Sequence, residues 1–177
     1  FWAGGCASCH ARPKAEGPAR LELAGGVRLA TEFGTFVAPN ISSDRESGIG
    51  AWSLADFANA LMRGVAPDGR HYYPAFPYTS YARMTGQDVA DLYAFMATLP
   101  AVAGDTADHE LGFPFTLRRG IGLWKLLHMR SEPVVALDAN ADAALSRGRS
   151  LAGGPAPSRH FHPPPASPGR PRSAPWP

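Results

Sequence analysis

The chain has 177 residues and only two cysteines, and both lie in one short stretch, "GGCASCHAR". Cys6 and Cys9 are separated by two residues and followed directly by His10. Two thiols this close cannot staple distant parts of a chain, so no disulfide framework holds the fold. The fold must rest on an apolar core, on a bound group, or on both. The C-x-x-C-H order admits three chemistries. Two thiols about one helical turn apart can bond the two vinyl groups on one edge of a haem, with the adjacent His beneath the iron. The same thiols could form half of a zinc site, or a redox dithiol led by Cys6.

The other side chains weigh on these readings. Zinc needs two further ligands at suitable spacing. No third Cys exists; His71, His109 and His128 are scattered, and His160 and His162 lie near the C-terminal end. A thioredoxin-like dithiol needs a strand before the motif and a long helix after it, whereas Arg12-Pro13 follows closely here. A haem that transfers electrons takes a second axial ligand from far along the chain, often Met. The chain has four methionines. Met62 and Met96 fall inside amphipathic helical patterns and read as core residues. Met129 is remote. Met84 stands at a loop end, before a helix cap, where a thioether can reach an iron. His71 is the alternative distal ligand. Trp52 and Arg70 are candidates to pair with haem propionates, and Tyr72, Tyr73, Phe76, Tyr78 and Tyr81 to wall a haem from water.

Helices are predicted where apolar residues recur at helical spacing behind a capping signal. One begins at Ser53, with Asp56 completing the box and Leu54, Phe57, Ala58, Leu61 and Val65 on its apolar face; Gly64 stops it. Another begins at Thr85, with Asp88 in the box and Val89, Leu92, Tyr93, Met96 and Leu99 on its face; Pro100 ends it. A weaker helical stretch covers 117–129. Segments 13–51, 66–83 and 101–116 read as loops rich in Gly and Pro, with one short extended piece in 33–42. The Pro-rich residues after about 152 read as a disordered tail. The net charge of +2 gives no drive towards nucleic acid. No apolar run is long enough for a membrane span.

Taken together, "CASCH", "FGTFVAPNISSDRESGIGAWSLADFANALMRGV" and "PDGRHYYPAFPYTSYARMTGQDVADLYAFMATLP" resemble a class I cytochrome c domain. More narrowly, they resemble the cytochrome c subunits of membrane-bound bacterial alcohol, aldehyde and sugar-acid dehydrogenases and related periplasmic multihaem cytochromes. The resemblance covers about residues 1–150. It implies an all-α fold, with few helices and long loops around one covalently attached haem c. It implies thioether bonds from Cys6 and Cys9, His10 as proximal and Met84 as distal iron ligand. The implied function is single-electron relay in the periplasm, from a dehydrogenase partner towards quinone or a terminal oxidase, without substrate catalysis by the chain itself and with membrane association through a partner. A small haem peroxidase, which needs an open sixth position, and a dithiol oxidoreductase are the enzymatic alternatives. The organisation expected is a haem domain at 1–101, a connecting segment at 102–150 towards an absent second haem domain, and the tail at 151–177. The short stretch before the motif leaves no room for the family's first helix, which predicts exposed Val89 and Leu92.

Overall fold

The computed structural model describes residues 1, 4–104, 106–128, 144, 147 and 148. In chain order its elements are helix α1 (Cys6–His10), strands β1 (Arg28–Thr31) and β2 (Gly34–Val37), helices α2 (Leu54–Ala58), α3 (Tyr78–Tyr81) and α4 (Gly86–Ala97), strand β3 (Glu110–Leu111) and helix α5 (Arg119–His128). A 3-10 turn at Gly17–Leu21 follows α1, and a π-helical turn at Asn59–Arg63 prolongs α2. Met129, His160, His162, the Pro-rich tail and most of 129–150 lie outside the described residues.

The two capping signals work as read. Ser53 accepts from the Asp56 amide while the Asp56 carboxylate accepts from the Ser53 amide, and Thr85 and Asp88 repeat the exchange. Each box satisfies amides that the first helical turn leaves without partners. Gly64 closes the α2 region at φ 60°, a left-handed conformation that glycine adopts without steric cost. The Tyr78 ring lies against it: a Cβ there would come within 2.5 Å of the ring. Phe57, Leu61, Val89, Met96 and Leu99 meet in one buried cluster with Leu23, Ile49, Tyr81 and Met84. Leu54, expected on the buried face, is 43% exposed at the start of α2.

Two expectations are corrected. The fold is not purely α-helical: β1, β2 and β3 form an antiparallel sheet in that order, with Arg28 opposite Val37 and Thr35 opposite Glu110. The Arg28 guanidinium donates to the Glu110 carboxylate at 2.5 Å across this sheet. Backbone pairing holds these strands, because β1 is exposed along its whole length and carries no apolar alternation. Nor is Val89 exposed: it is buried to 1% in the cluster, and Leu92 is half-buried beside it. The Phe1 ring packs on Phe95, at 5.3 Å between centroids.

A buried polar group ties the long central loop to the segment after α4. The Asn40 amide donates to the carbonyls of Val102 and Gly104 at 2.7 and 3.0 Å, and its oxygen accepts from the Ser42 amide at 2.9 Å. The fully buried Ser42 hydroxyl exchanges bonds with both backbone groups of Val102, and Ser43 donates to Leu99. Asn40 is thus nearly saturated, as burial of an amide requires.

Candidate functional site

Helix α1 is a single turn, which places Cys6, Cys9 and His10 on neighbouring positions of one short surface. Both thiols are free and half-buried. Burial raises the pKa of each, most strongly through loss of solvation. A nucleophilic dithiol needs the opposite shift, so this setting does not favour the redox-enzyme alternative.

The His10 Nδ1–H donates to the Pro39 carbonyl at 2.8 Å. A carbonyl oxygen only accepts, so Nδ1 carries the proton and Nε2 keeps its lone pair. Burial lowers the His10 pKa below the usual imidazole value, against a smaller opposing effect of the Pro39 bond. The neutral, Nε2-basic form is the one that ligates a metal, and a carbonyl behind the ring is the usual means of fixing it.

Pro39 is brought to His10 by the segment between them. The Gly25 amide donates to the His10 carbonyl at 2.7 Å, the Gly26 amide to Ala38 at 2.9 Å, and the Ile41 amide to Leu23 at 3.0 Å. This places residues 23–26 between the motif turn and the 38–41 segment. The approach is so close that a Cβ at Gly25 would lie 2.5 Å from the Ala38 oxygen, and Gly25 has φ 75°. Sequence reasoning named neither Gly25 nor Pro39 as site residues. The Gly25-Gly26 pair and the Pro39-Asn40 step were the available signals, since paired glycines mark positive φ and close backbone approach.

On the other side, α3 reaches back to the motif. The Tyr81 hydroxyl donates to the Gly4 carbonyl at 2.7 Å, two residues before Cys6. Burial pushes the Tyr81 pKa well up, with smaller contributions from the two cysteines. The Phe76 ring touches Tyr81, Tyr78 and Tyr72 at centroid distances of 5.7, 6.3 and 5.7 Å. Three residues beyond Tyr81, Met84 is buried in the same apolar cluster as Ala7 of α1 and Ala11, the residue that ends it. Met96 belongs to that cluster too, and Met62 packs against it.

The remaining candidates are placed as follows. His71 lies under α5: its Nδ1 is 3.1 Å from the Lys125 ammonium, and its Nε2 faces Gly122, where a Cβ would come within 2.8 Å. Both ring nitrogens of the alternative distal ligand are therefore turned to α5. Arg70 pairs with Asp68 at 2.6 Å in an exposed turn. Trp52 packs on the core cluster and its carbonyl accepts from Tyr93. The Tyr78 hydroxyl is buried without a hydrogen-bond partner. Among the described residues, no three His, Cys, Asp or Glu side chains converge on a common metal position, so the zinc alternative finds no ligand set there.

The donor set fits haem c. Two free thiols one turn apart, an adjacent imidazole fixed as its Nε2-basic tautomer and a buried thioether on the packed core are the groups such a cofactor uses.

Comparison with known proteins agrees. A family model described as Cytochrome c matches residues 1–100. A protein named "Diheme cytochrome c-type" from Cereibacter sphaeroides is 54% identical over 156 residues, covering 87% of this chain and 51% of its own length. The fructose dehydrogenase cytochrome subunit of Gluconobacter japonicus is 35% identical, covering 82% of this chain and 29% of its own. The alcohol dehydrogenase (quinone) cytochrome c subunit of Gluconobacter oxydans is 31% identical, covering 90% and 32%. The chain thus spans about half the length of the first relative and about a third of the other two. With the C-x-x-C-H turn, its oriented histidine and this likeness over most of its length, the chain belongs to the cytochrome c family, whose members carry electrons on covalently attached haem c.

Proposed function

We propose that this chain is a periplasmic electron-transfer protein, or the electron-transfer part of one, that serves a dehydrogenase complex. Residues 1–101 form its haem domain, and 102–150 connect onwards. When bound, the haem supplies a one-electron couple that no side chain offers. Cys6 and Cys9 would hold it through thioether bonds, His10 Nε2 would ligate its iron, and Met84 would be the distal ligand. The single observation that carries this reading is the 2.8 Å bond from His10 Nδ1 to Pro39, which holds the ring as a ligand while leaving Nε2 free. The turn of both His71 nitrogens towards α5 supports Met84 over His71.

The protein's part is to bind and orient. Tyr81 ties the Met84 side of the site to the peptide before Cys6, and the ring cluster around Phe76 excludes water there. A lower local dielectric and a thioether ligand both favour the reduced form and raise the potential. The named relatives are cytochrome subunits of fructose and alcohol dehydrogenases, which supports a dehydrogenase as electron donor. Quinone or a terminal oxidase is the proposed acceptor.

The test is production of the chain in a periplasm with haem c maturation machinery. Haem should stay with the polypeptide through denaturing electrophoresis and be lost when Cys6 and Cys9 are both replaced by Ser. A colourless, thiol-reactive product from the unaltered chain would end this reading.

A further inference from the structure

The ladder between β2 and β3 is finished by a side chain. Gly34 pairs with Leu111 and Thr35 with Glu110, and that register, continued, would set Val37 opposite Asp108. The strand stops at Glu110 instead, and the Val37 amide donates to Nδ1 of His109 at 3.2 Å. A backbone amide only donates, so this bond requires Nδ1 to be unprotonated, with the ring proton on Nε2. Aromatic rings hold the half-buried imidazole there. It stands edge-on to Phe36 and Tyr73, at centroid distances of 5.4 and 5.7 Å.

Val37 leads directly to the carbonyl behind His10. The next residue, Ala38, donates to Val27 and accepts from Gly26, and the one after it is Pro39, whose carbonyl accepts from His10 Nδ1. Residues 26–27 thus hold one edge of the 37–39 segment, and His109 holds the other. A protonated imidazole has two N–H donors and no acceptor. It would set an N–H against the Val37 N–H and leave that amide unpaired at a residue only 3% exposed.

The charges around His109 are few among the described residues. On its own segment, Asp108 precedes it and Glu110 is committed to Arg28. β2 offers Phe36 and Val37, which carry none. The Tyr73 hydroxyl is committed to the Phe115 carbonyl, and Arg118 lies over the Tyr73 ring. Burial first and the Arg118 charge second lower the His109 pKa below 6.5, with Asp108 opposing, so the ring is neutral at neutral pH.

We propose that His109 is a positioning residue for the proximal ligand: neutral, it fixes β2 and with it the Pro39 carbonyl behind His10, and protonated, it lets that carbonyl slacken. The proposal rests on the haem reading of His10. A carbonyl that accepts from Nδ1–H makes Nε2 more basic, which favours oxidised iron. Protonation of His109 therefore raises the potential.

The experiment is potentiometric titration of the full-length, haem-loaded chain from about pH 5 to 8, beside His109→Gln and His109→Ala. Gln offers Val37 an amide oxygen and does not titrate. The parent's potential relative to His109→Gln should be level at neutral pH and rise below pH 6.5. His109→Ala has neither acceptor nor charge, and should lie above the parent's neutral-pH value throughout. In the reduced parent, the Val37 amide should lose about tenfold of its protection from hydrogen exchange at the acid end, measured against the Ile41 amide, and His109→Gln should keep it. These comparisons with Gln decide the matter if His109→Ala does not fold. A haem-loaded product with a flat parent-minus-Gln difference overturns this proposal and leaves the haem reading standing. So does an Ala variant equal to the parent at neutral pH, which would leave only a charge effect. A chain that takes up no haem removes both readings.

Discussion

His10 and Pro39, 29 positions apart in sequence, are joined by a 2.8 Å hydrogen bond from the imidazole Nδ1 to the proline carbonyl. Gly25 sits between the backbones on either side of that bond and donates to the His10 carbonyl itself. Gly25→Ala must force them apart, since the new Cβ would lie 2.5 Å from the Ala38 oxygen and 2.6 Å from the Pro39 carbonyl carbon, at φ 75°. We expect a loss of at least about 2 kcal/mol in urea unfolding of the haem-loaded protein, together with a changed potential as the ring tilts. Gly86→Ala is the control, because nothing lies within 4 Å of its Cβ position; it should be within about 0.5 kcal/mol of the parent. Equal behaviour of the two variants would remove Gly25 from the site.

Met84 can be separated from the other core methionines by a substitution that keeps volume. Met84→Leu costs less than about 1.5 kcal/mol in packing but removes the thioether. The weak sulfur-to-iron absorption band in the red should vanish and the potential should fall. Met62→Leu and Met96→Leu should keep both. A band that survives Met84→Leu and disappears in either of the others reassigns the ligand.

What could be read from the chain and what could not divide along physical lines. The helices at Leu54 and Gly86 announce themselves because a capping box and a 3.6-residue apolar period agree locally. Met84 stands out in the sequence for a related reason, because the Thr85 cap leaves it just outside the helix that follows; its role as iron ligand is the proposal made above. Of the sheet only β2 is legible, inside the extended piece at 33–42. β1 is wholly exposed, and β3 is two residues long and pairs with Thr35 from 75 positions away, so no alternation records it. The same holds for Gly25 and Pro39, whose role appears only when two distant backbones meet. Helix α5 misleads in the opposite sense. Its period is helical, but the pattern does not tell which face turns inward, and the lysine does.

Tyr81 gives a smaller but cleaner test of how the 78–84 segment is tied to the motif. Its hydroxyl donates to the Gly4 carbonyl at 2.7 Å, and the ring is buried against Phe76. Tyr81→Phe keeps the ring and removes the one bond. The expected cost is about 1 kcal/mol in denaturant unfolding, with more if the Gly4 carbonyl stays dry and unpaired. No change in stability would mean that the 78–84 segment and the peptide before Cys6 hold their positions independently.

Lys125 and His71 give the docking of α5 a pH dependence whose sign follows from their burial. Loss of solvation pushes the Lys125 pKa down to about 8 in the folded protein, against 10.5 for the exposed amine. Between those values the unfolded chain holds a proton that the folded chain has released, so stability rises with pH across the window, and the penalty is complete below about 8. His71 adds a second window. Burial first, and the Lys125 charge second, lower its pKa below 6.5, so stability falls further as the pH drops below that value. Above about pH 10 the buried tyrosines oppose the first trend: Tyr78 is pushed up to about 12 and Tyr72 is raised as well, so the folded chain there keeps protons that the unfolded chain loses. Comparison with Lys125→Met cancels those tyrosine effects. Urea unfolding at pH 6, 7.5 and 9.5 should show the parent gaining stability relative to the variant between 7.5 and 9.5. It should lose stability relative to the variant at pH 6, where a protonated His71 would face the ammonium at 3.1 Å. A parent-minus-variant difference that stays flat over this range would mean that the Lys125 amine is solvated, and that α5 is not held by it.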